Sequence, residues 1–421
     1  MNYLFVTVDG GGNLPQVLGL AKRLKKRGHM ITVLTEPCME ELIKSLDFKF
    51  IAFRKFFTRK DRKEDLLKDY KATPFSNPIF ENVVFGPAQI VVDETLTALK
   101  KSEADILVAD ILLPPALIAA EYLKIPRAIA FHMPEYFPGP NRPPGNMGLL
   151  PGKGSLIKLR DRLFSGLFNS VFNKYKAKLN AIRDSLDLKP LENVSDLIHS
   201  ADLRLIQTLP EFDFPIQPAP KNVRYTGPIL DSPDWAGSWE SPWPKVDERP
   251  LVVVAFSSTF QDQKQAIQNS IDSMRGLNVR GLITLGMAMQ NEDFDFPDNV
   301  EVVKTAPHHK VFEEANLVIT HAGHGTIMRA LNHGLPLICM PMGRDQNDNA
   351  AKVVFHGLGV KLSKKTGPVK LRKAINQVIT NDSFRENTRK FQQLLSDNQY
   401  QEVALDALEG MRVVATTMRS A

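Results

Sequence analysis

Six consecutive residues, His321-Ala322-Gly323-His324-Gly325-Thr326, follow an apolar run at Leu317–Thr320 and lead into a helical stretch at 327–333 that Gly334 stops. A glycine-rich turn that opens a helix offers free N–H groups and the positive end of the helix dipole to an anion. Gly323 and Gly325 allow close backbone approach. Thr326 can cap the helix and also bond a phosphate oxygen. His321, at the carboxyl end of the strand, can donate to a diphosphate. The next apolar run, at 337–340, ends in Pro341-Met342-Gly343-Arg344-Asp345-Gln346-Asn347-Asp348-Asn349. Asp345 and Gln346 combine a carboxylate with a carboxamide, which suits sugar hydroxyls. Each feature alone has a structural reading: a Gly-x-Gly turn is often only a turn, and Asp345 is a fair helix cap. In this order and spacing they point to one ligand, with a diphosphate at one end and hydroxyls at the other.

The surrounding elements must hold these loops. Leu4 to Val8 is a short apolar run ending in Asp9-Gly10-Gly11-Gly12-Asn13. A helical pattern at 14–27 follows, Gly28 stops it, and 31–34 is the next strand. A helix between two strands makes the strand pair parallel. The pattern recurs at 106–109, 115–123 and 128–131, which argues for a doubly wound α/β domain. The stretch 137–151 is too rich in Pro and Gly for regular structure and reads as a long loop of the functional kind. One or two amphipathic helices are expected over 156–186, and strands near 205–209 and 223–227. The segment 231–250 holds all three tryptophans, Trp235, Trp239 and Trp243, and reads as a linker packed on something. A second α/β series begins with the wholly apolar strand 251–256, the mark of a central parallel strand. Its further strands are expected at 281–285, 300–303, 317–320 and 337–340, and a long final helix, whole or broken, at 383–418. The expected organisation is a first domain at 1–230, a linker at 231–250, a second domain at 251–400, and a terminal helix at 401–421 that crosses back. The cleft between the two halves is the expected ligand site.

The passage from His308 to Asn349 resembles the donor signature of inverting, metal-independent family 1 glycosyltransferases of the GT-B fold, both the bacterial natural-product branch and the UDP-glycosyltransferases of plants. The resemblance runs through the whole chain, including the Tyr225–Pro228 run before the linker. It implies two Rossmann-like domains facing a central cleft. It implies that His321 contacts the diphosphate, that Gly323, Gly325 and Thr326 give helix-terminus contacts, and that Asp345 and Gln346 hold sugar hydroxyls. Ser257, Ser258 and Thr259 match a first phosphate-proximal loop. Thr284 to Gly286 and Ala306 to His308 would flank base and ribose. One departure stands out: the plant enzymes carry a ribose-binding Glu near the position of Arg329, which leaves UDP and dTDP both open.

An inverting transfer needs the acceptor hydroxyl deprotonated as it attacks. In the family a His in the first glycine loop does this, held by an Asp, and the loop reads Gly-His-x-x-Pro. Counting back from Pro15, that His is replaced by Gly12. Asp110 matches the partner Asp and is a candidate base or a loop cap. His132, after the next strand, is a candidate base from another wall of the cleft. Asn13 could orient an acceptor, and Asp9 and Glu135 are outside candidates. The acceptor pocket is expected from Gly11, Gly12, Phe56, Phe57, Phe80 and Tyr136 with the loop 131–151. His324, His333 and His356 are read as structural.

Composition sets the remaining bounds. A chain of 421 residues, 43% hydrophobic and 24% charged, suits two globular cores. The net charge of +6 includes basic stretches at 54–71 and 153–162, read as solvated faces or as a weak membrane-surface contact, with no nucleic acid partner. Two distant cysteines, Cys38 and Cys339, form no disulfide framework and suit a cytoplasmic protein. The start of the chain lacks a signal-peptide pattern, no run is long enough to span a membrane, and no His/Cys cluster has metal-ligand spacing. The expected partners are a UDP- or dTDP-sugar and a hydrophobic small molecule, with no other cofactor and no metal, in a monomer or homodimer. The sugar is expected to be a hexose, glucose foremost, leaving as a β-glycoside. Three rival readings stand beside this one. A nicotinamide or flavin enzyme would use Gly10-x-Gly12 and Glu36 as a dinucleotide fingerprint, but Pro15 stands where the third glycine belongs. The others are a catalytically impaired sugar-nucleotide-binding partner and a sugar-nucleotide epimerase.

Overall fold

The computed structural model describes residues 1–61, 66–67, 78–139, 142–214, 218–231, 239–257, 259–286, 289, 293–397 and 400–419. The chain divides into two compact units. The first comprises Met1–Gly145, Pro151–Ile229 and Gln399–Ala421; the second comprises Asn146–Leu150 and Leu230–Asn398.

The first unit is built on a seven-stranded sheet. Its strands are β1 (Asn2–Val6), β2 (Met30–Thr35), β3 (Lys49–Ala52), β4 (Ile106–Asp110), β5 (Arg127–Phe131), β6 (Leu203–Ile206) and β7 (Val223–Tyr225), in the order β3-β2-β1-β4-β5-β6-β7. The second unit has six strands: β8 (Leu251–Ala255), β9 (Arg280–Thr284), β10 (Val300–Val303), β11 (Leu317–Thr320), β12 (Leu337–Cys339) and β13 (Gly359–Lys361), in the order β10-β9-β8-β11-β12-β13. All the pairings are parallel. The α/β, doubly wound GT-B expectation is therefore met.

The strand orders explain where sites belong. In the first sheet the order runs outward from β1 in both directions; in the second it does so from β8. Where direction reverses, helices leave on opposite faces and open a crevice at the carboxyl ends of the strands. In the first sheet this switch lies between β1 and β4, with Val6 level with Ala109. In the second it lies between β8 and β11, with Thr320 level with Ala255. The glycine loop after β1 and Asp110 share the first switch point. Ser257 and His321 share the second.

Central strands are buried on both faces: β4, β8 and β11 expose almost nothing. Two clusters of apolar side chains sandwich the first sheet, one with Phe85, Phe131 and Phe172, the other with Leu14, Leu18 and Leu405. The expected final helix is split in two, at Asp382–Ser396 and Tyr400–Arg419. The second of these belongs to the first unit. It buries Ala404, Leu405 and Leu408 and sets Asp406 and Glu409 at 2.7 and 2.8 Å from Arg27. Gly227, in the Tyr225–Pro228 run, has φ +63°, and a Cβ there would lie 2.9 Å from the Tyr400 side chain. Of the three tryptophans, Trp243 lies under the guanidinium of Arg280 at 5.7 Å, Trp239 is described, and Trp235 falls outside the described residues. Among the described residues no helix is long and apolar enough to cross a membrane. Neither cysteine is in a disulfide.

Candidate active site

In the second unit three loops leave adjacent strands at the carboxyl edge, and side chains stitch them together. After β8, Ser257 and Thr259 join through their hydroxyls at 3.0 Å. Gln263 donates to the carbonyls of Ser257 and Thr259, and its Oε1 accepts from the Gln261 N–H at 2.6 Å. After β12, Arg344 donates to Thr259 Oγ1 at 3.0 Å, and Gln346 donates to Gln261 Oε1 at 2.9 Å. From the helix Gln346–Phe355, Asn349 donates to the Ala322 carbonyl after β11 at 3.1 Å and to Asp345 Oδ2 at 2.7 Å. One residue in each loop holds a left-handed backbone without being glycine: Asp262 (φ 55°), Ala322 (φ 69°) and Arg344 (φ 55°). Each such residue costs roughly 1 kcal/mol. Strain gathered at one sheet edge and held by a bonded network is characteristic of functional loops.

The turn at 321–326 is shaped by its histidine. A Cβ on Gly323 would lie 2.5 Å from His321 Nε2, so only glycine lets the ring lie flat against the backbone. His321 is buried, and burial followed by the charge of Arg344 pushes its pKa down to about 3. It is therefore neutral at physiological pH, a hydrogen-bonding group and not a cation. Gly323 is the cap residue of helix His324–Asn332, and no side chain caps that end. Thr326 was expected as the cap. It is instead the third helical residue, and its N–H is spent on the Gly323 carbonyl at 3.1 Å.

His308 opens the helix His308–Glu314. Its Nε2 lies 3.2 Å from Thr284 Oγ1, and its ring stacks on Phe312 at 5.1 Å and 9°. Burial and the neighbouring Arg329 charge hold its pKa near 4. Arg329 donates to the carbonyls of Gly325 and Asp231 at 3.3 and 3.0 Å. Ala306 is buried beside this group. Ser258, the other candidate of the β8 loop, lies outside the described residues. Gln346, expected to grip sugar hydroxyls, is buried with its amide committed: Oε1 accepts from the N–H groups of Met342 and Gly343 at 2.7 and 3.1 Å. It braces the loop that presents Asp345. Arg344 was passed over in the sequence. Its signal was a lone cation inside the polar cluster that follows β12.

In the first unit the centre is Asp110, wholly buried at the end of β4. Its Oδ2 accepts from Thr7 Oγ1 at 2.7 Å and from Asn13 Nδ2 at 2.6 Å. Its Oδ1 accepts from the Leu112 N–H at 3.0 Å. His132, just past β5, brings Nδ1 to 3.6 Å from Oδ1, slightly beyond hydrogen-bond range. Burial alone would raise the carboxyl pKa; His132, the Leu112 N–H and Asn13 outweigh it and hold Asp110 below the usual value. In sequence Asp110 and His132 are separate candidates on different walls. The structure puts them side by side, because β5 lies next to β4 in the sheet. A histidine whose Nδ1 faces a carboxylate keeps Nε2 as the proton acceptor.

Asn13 was expected to orient an acceptor. It is buried and fully used: besides Asp110, it donates to the Val8 carbonyl at 2.7 Å and accepts from the Gly10 N–H at 2.9 Å. It is a positioning residue that ties the glycine loop to Asp110. Gly11 needs its glycine, with φ 94°. Gly12 does not: a Cβ there meets nothing within 4 Å. The missing histidine thus leaves open space, not a filled slot.

The aromatic candidates separate. Phe56 is exposed, whereas Phe57 and Phe80 are core residues. Phe80 packs on Phe172 at 4.8 Å and Phe85 at 5.8 Å, so its ring belongs to the apolar core of the first unit. Tyr136 is half-buried and stacked on Phe137 at 4.7 Å. Glu135 is bound to Arg204 at 2.7 Å, and Glu36 to Arg59 at 2.8 Å and to the Asp9 N–H at 2.9 Å. Neither carboxylate is available as a base or as a ribose ligand. Among the described residues no group of three or more His, Cys, Asp or Glu side chains could hold a metal ion.

Two parallel α/β units with ligand-type loops at their switch points are the architecture of the GT-B fold. Solved structures agree on the fold: the calicheamicin glycosyltransferase CalG4 superposes with a TM-score of 0.73 at 19% identity, over 97% of this chain and 98% of that one. The glycosyltransferase VinC, solved in complex with dTDP, gives 0.67 at 16% identity, over 98% and 99%. Residues 13–406 match the family described as UDP-glucoronosyl and UDP-glucosyl transferase, and the chain belongs to that family. It is similar to 4'-demethylrebeccamycin synthase of Lentzea aerocolonigenes, 24% identical over 97% of this chain and 99% of the relative. It is also similar to zeaxanthin glucosyltransferase of Pantoea ananas, 23% identical over 89% and 88%. The protein is a nucleotide-sugar-dependent glycosyltransferase.

Proposed function

We propose that the enzyme transfers a hexose, glucose foremost, from UDP or dTDP to a hydroxyl of a hydrophobic small molecule, with inversion to a β-glycoside. The observation that carries this reading is His132, 3.6 Å from the buried carboxylate of Asp110. A one-step displacement needs one base to take the acceptor proton as its oxygen attacks the anomeric carbon. His132 Nε2 takes that proton, and Asp110 holds the ring and stabilises the imidazolium that forms. Retention by double displacement would need a carboxylate nucleophile. Asp110 is buried under four groups and cannot approach an anomeric carbon.

In the second unit, His321, the uncapped end of helix His324–Asn332, Ser257, Thr259 and Arg344 take the diphosphate, and Asp345 takes sugar hydroxyls. Thr284, Ala306 and His308 line the nucleoside end, where Arg329 stands in place of a carboxylate. The cation there favours neither uridine nor thymidine by charge. The apolar character of the acceptor is in keeping with a relative that acts on zeaxanthin and with the exposed Phe56 near the first unit's loops. The leaving nucleoside diphosphate needs no metal in this scheme, since Arg344 and the helix end supply the positive charge. Two free cysteines suit the reducing cytoplasm.

The test is a panel of phenols, terpenoids and macrolides with UDP-glucose and dTDP-glucose, read by mass spectrometry and by the anomeric coupling of the product. A β-glycoside from a hydroxyl acceptor supports the reading. Binding of UDP without any product from the panel, or an α-linked product, sinks it.

A further inference from the structure

The helix Ser155–Asn173 is apolar on two faces. One face is buried through Phe168 and Phe172. The other is turned to solvent and carries Leu156, Leu159, Leu163 and Leu167 at 81%, 54%, 65% and 55% exposure. The spacings of three and four place these four leucines in one continuous stripe. Single exposed leucines are ordinary, but a row of them along one helix marks a contact surface.

The charge around the stripe is one-sided. From Lys153 to Lys178 there are seven lysines and arginines and one acid, Asp161. That local excess of six equals the excess of 53 basic over 47 acidic side chains in the whole chain, so the rest of the protein is electrically balanced. Asp161 is itself paired with Arg160 at 2.7 Å. Lys153, Lys158 and Arg162 are exposed beside the leucines.

We propose that this helix face docks the enzyme on an anionic phospholipid surface, with the leucines in the acyl boundary and the basic side chains on the headgroups. An exposed apolar stripe bordered by cations fits an interfacial helix. A second copy of the chain fits poorly, because two faces of the same strong positive charge would meet. A coiled-coil partner fits poorly too: the heptad positions that continue Leu159 and Leu163 are Gly166 and Ser170. The inference does not depend on the identity of sugar or acceptor. It does suit an enzyme whose acceptors partition into lipid.

The test is co-sedimentation of the full chain with vesicles of phosphatidylcholine alone and of phosphatidylcholine with phosphatidylglycerol. The wild type should bind the anionic vesicles, weaken with added salt, and bind the neutral ones at least about tenfold less. Leu159→Ser/Leu163→Ser should lower anionic binding at least about tenfold. Lys158→Glu/Arg162→Glu should lower it while leaving the weak neutral binding unchanged. Unaltered melting and UDP affinity show that both variants are folded. The proposal is overturned if the wild type ignores anionic vesicles, or if the leucine variant partitions like the wild type. It is equally overturned if sedimentation velocity shows a lipid-independent dimer that the leucine variant dissolves.

Discussion

On the proposed reading, the two switch points use the same geometry for opposite tasks. In the second unit, three loops carry left-handed non-glycine residues and are tied together by Thr259, Gln261, Arg344, Gln346 and Asn349. In the first unit one buried carboxylate, Asp110, collects Thr7, Asn13, Leu112 and His132, and the loop facing solvent carries no side chain at Gly12. A diphosphate has fixed charge and shape, so a rigid cradle set in advance binds it with little reorganisation. An acceptor oxygen needs a single proton acceptor and space around it. The comparison teaches that a site can be read from its rigid half. The half built for varied partners leaves few residues that must be of one type.

Apart from the loss of His132 itself, the largest expected effect in that contrast comes from Asp110→Asn. It should cut kcat by roughly 100-fold, because the imidazole loses its anionic partner, while UDP affinity stays at the wild-type value by calorimetry. A fall in donor affinity instead would erase the division between the units. Arg344→Ala should do the reverse. Loss of a charged hydrogen-bond donor is worth about 1.5–3 kcal/mol, so the Kd for UDP or dTDP should rise at least about tenfold. Arg344→Lys should restore part of it, and equal affinities in all three proteins would remove Arg344 from the site.

A pH effect comes next and is shared by both units, since burial also pushes His199 of the first unit down to about 4. His321 and His308 are held neutral in the folded state with pKa values of about 3 and 4, below the ordinary 6.5. Unfolding lets both take a proton below pH 6.5. The unfolded state therefore binds more protons, and stability falls as pH drops from 6.5 toward 4. Melting followed from pH 7 to 4 should show this decline, and bound UDP should not abolish it. A flat profile would mean that neither histidine is buried as described. The smallest effect is expected of Gly12→His. Nothing lies within 4 Å of a Cβ there, so melting should stay within about 0.5 kcal/mol of wild type, as for an ordinary surface change. Loss of folding would mean that the glycine loop is tighter than its geometry implies.

Much of the fold was legible because fully apolar strands alternate with helical spacing, and that alternation admits few topologies. The strands β3 and β13 went unnoticed: β3 has only partly buried side chains and β13 has three residues. The turn at 321–326 was legible because glycine and histidine must sit at fixed steps to make it. The packing of Phe80 was not legible, because an aromatic residue near a loop looks the same in sequence whether or not it joins the Phe85–Phe172 core. The Asp110–His132 pair was only half visible. Its members are 22 positions apart, and only the adjacency of β4 and β5 joins them. Arg344 was hidden for a similar reason, since Thr259 reaches it from a different strand.

The most direct test is His132→Ala, with kcat and the UDP dissociation constant measured on the same preparation. If His132 is the base beside Asp110, kcat falls by about 10²–10⁴ and the dissociation constant is unchanged. A kcat within a few-fold of wild type would contradict it and return the base to another group.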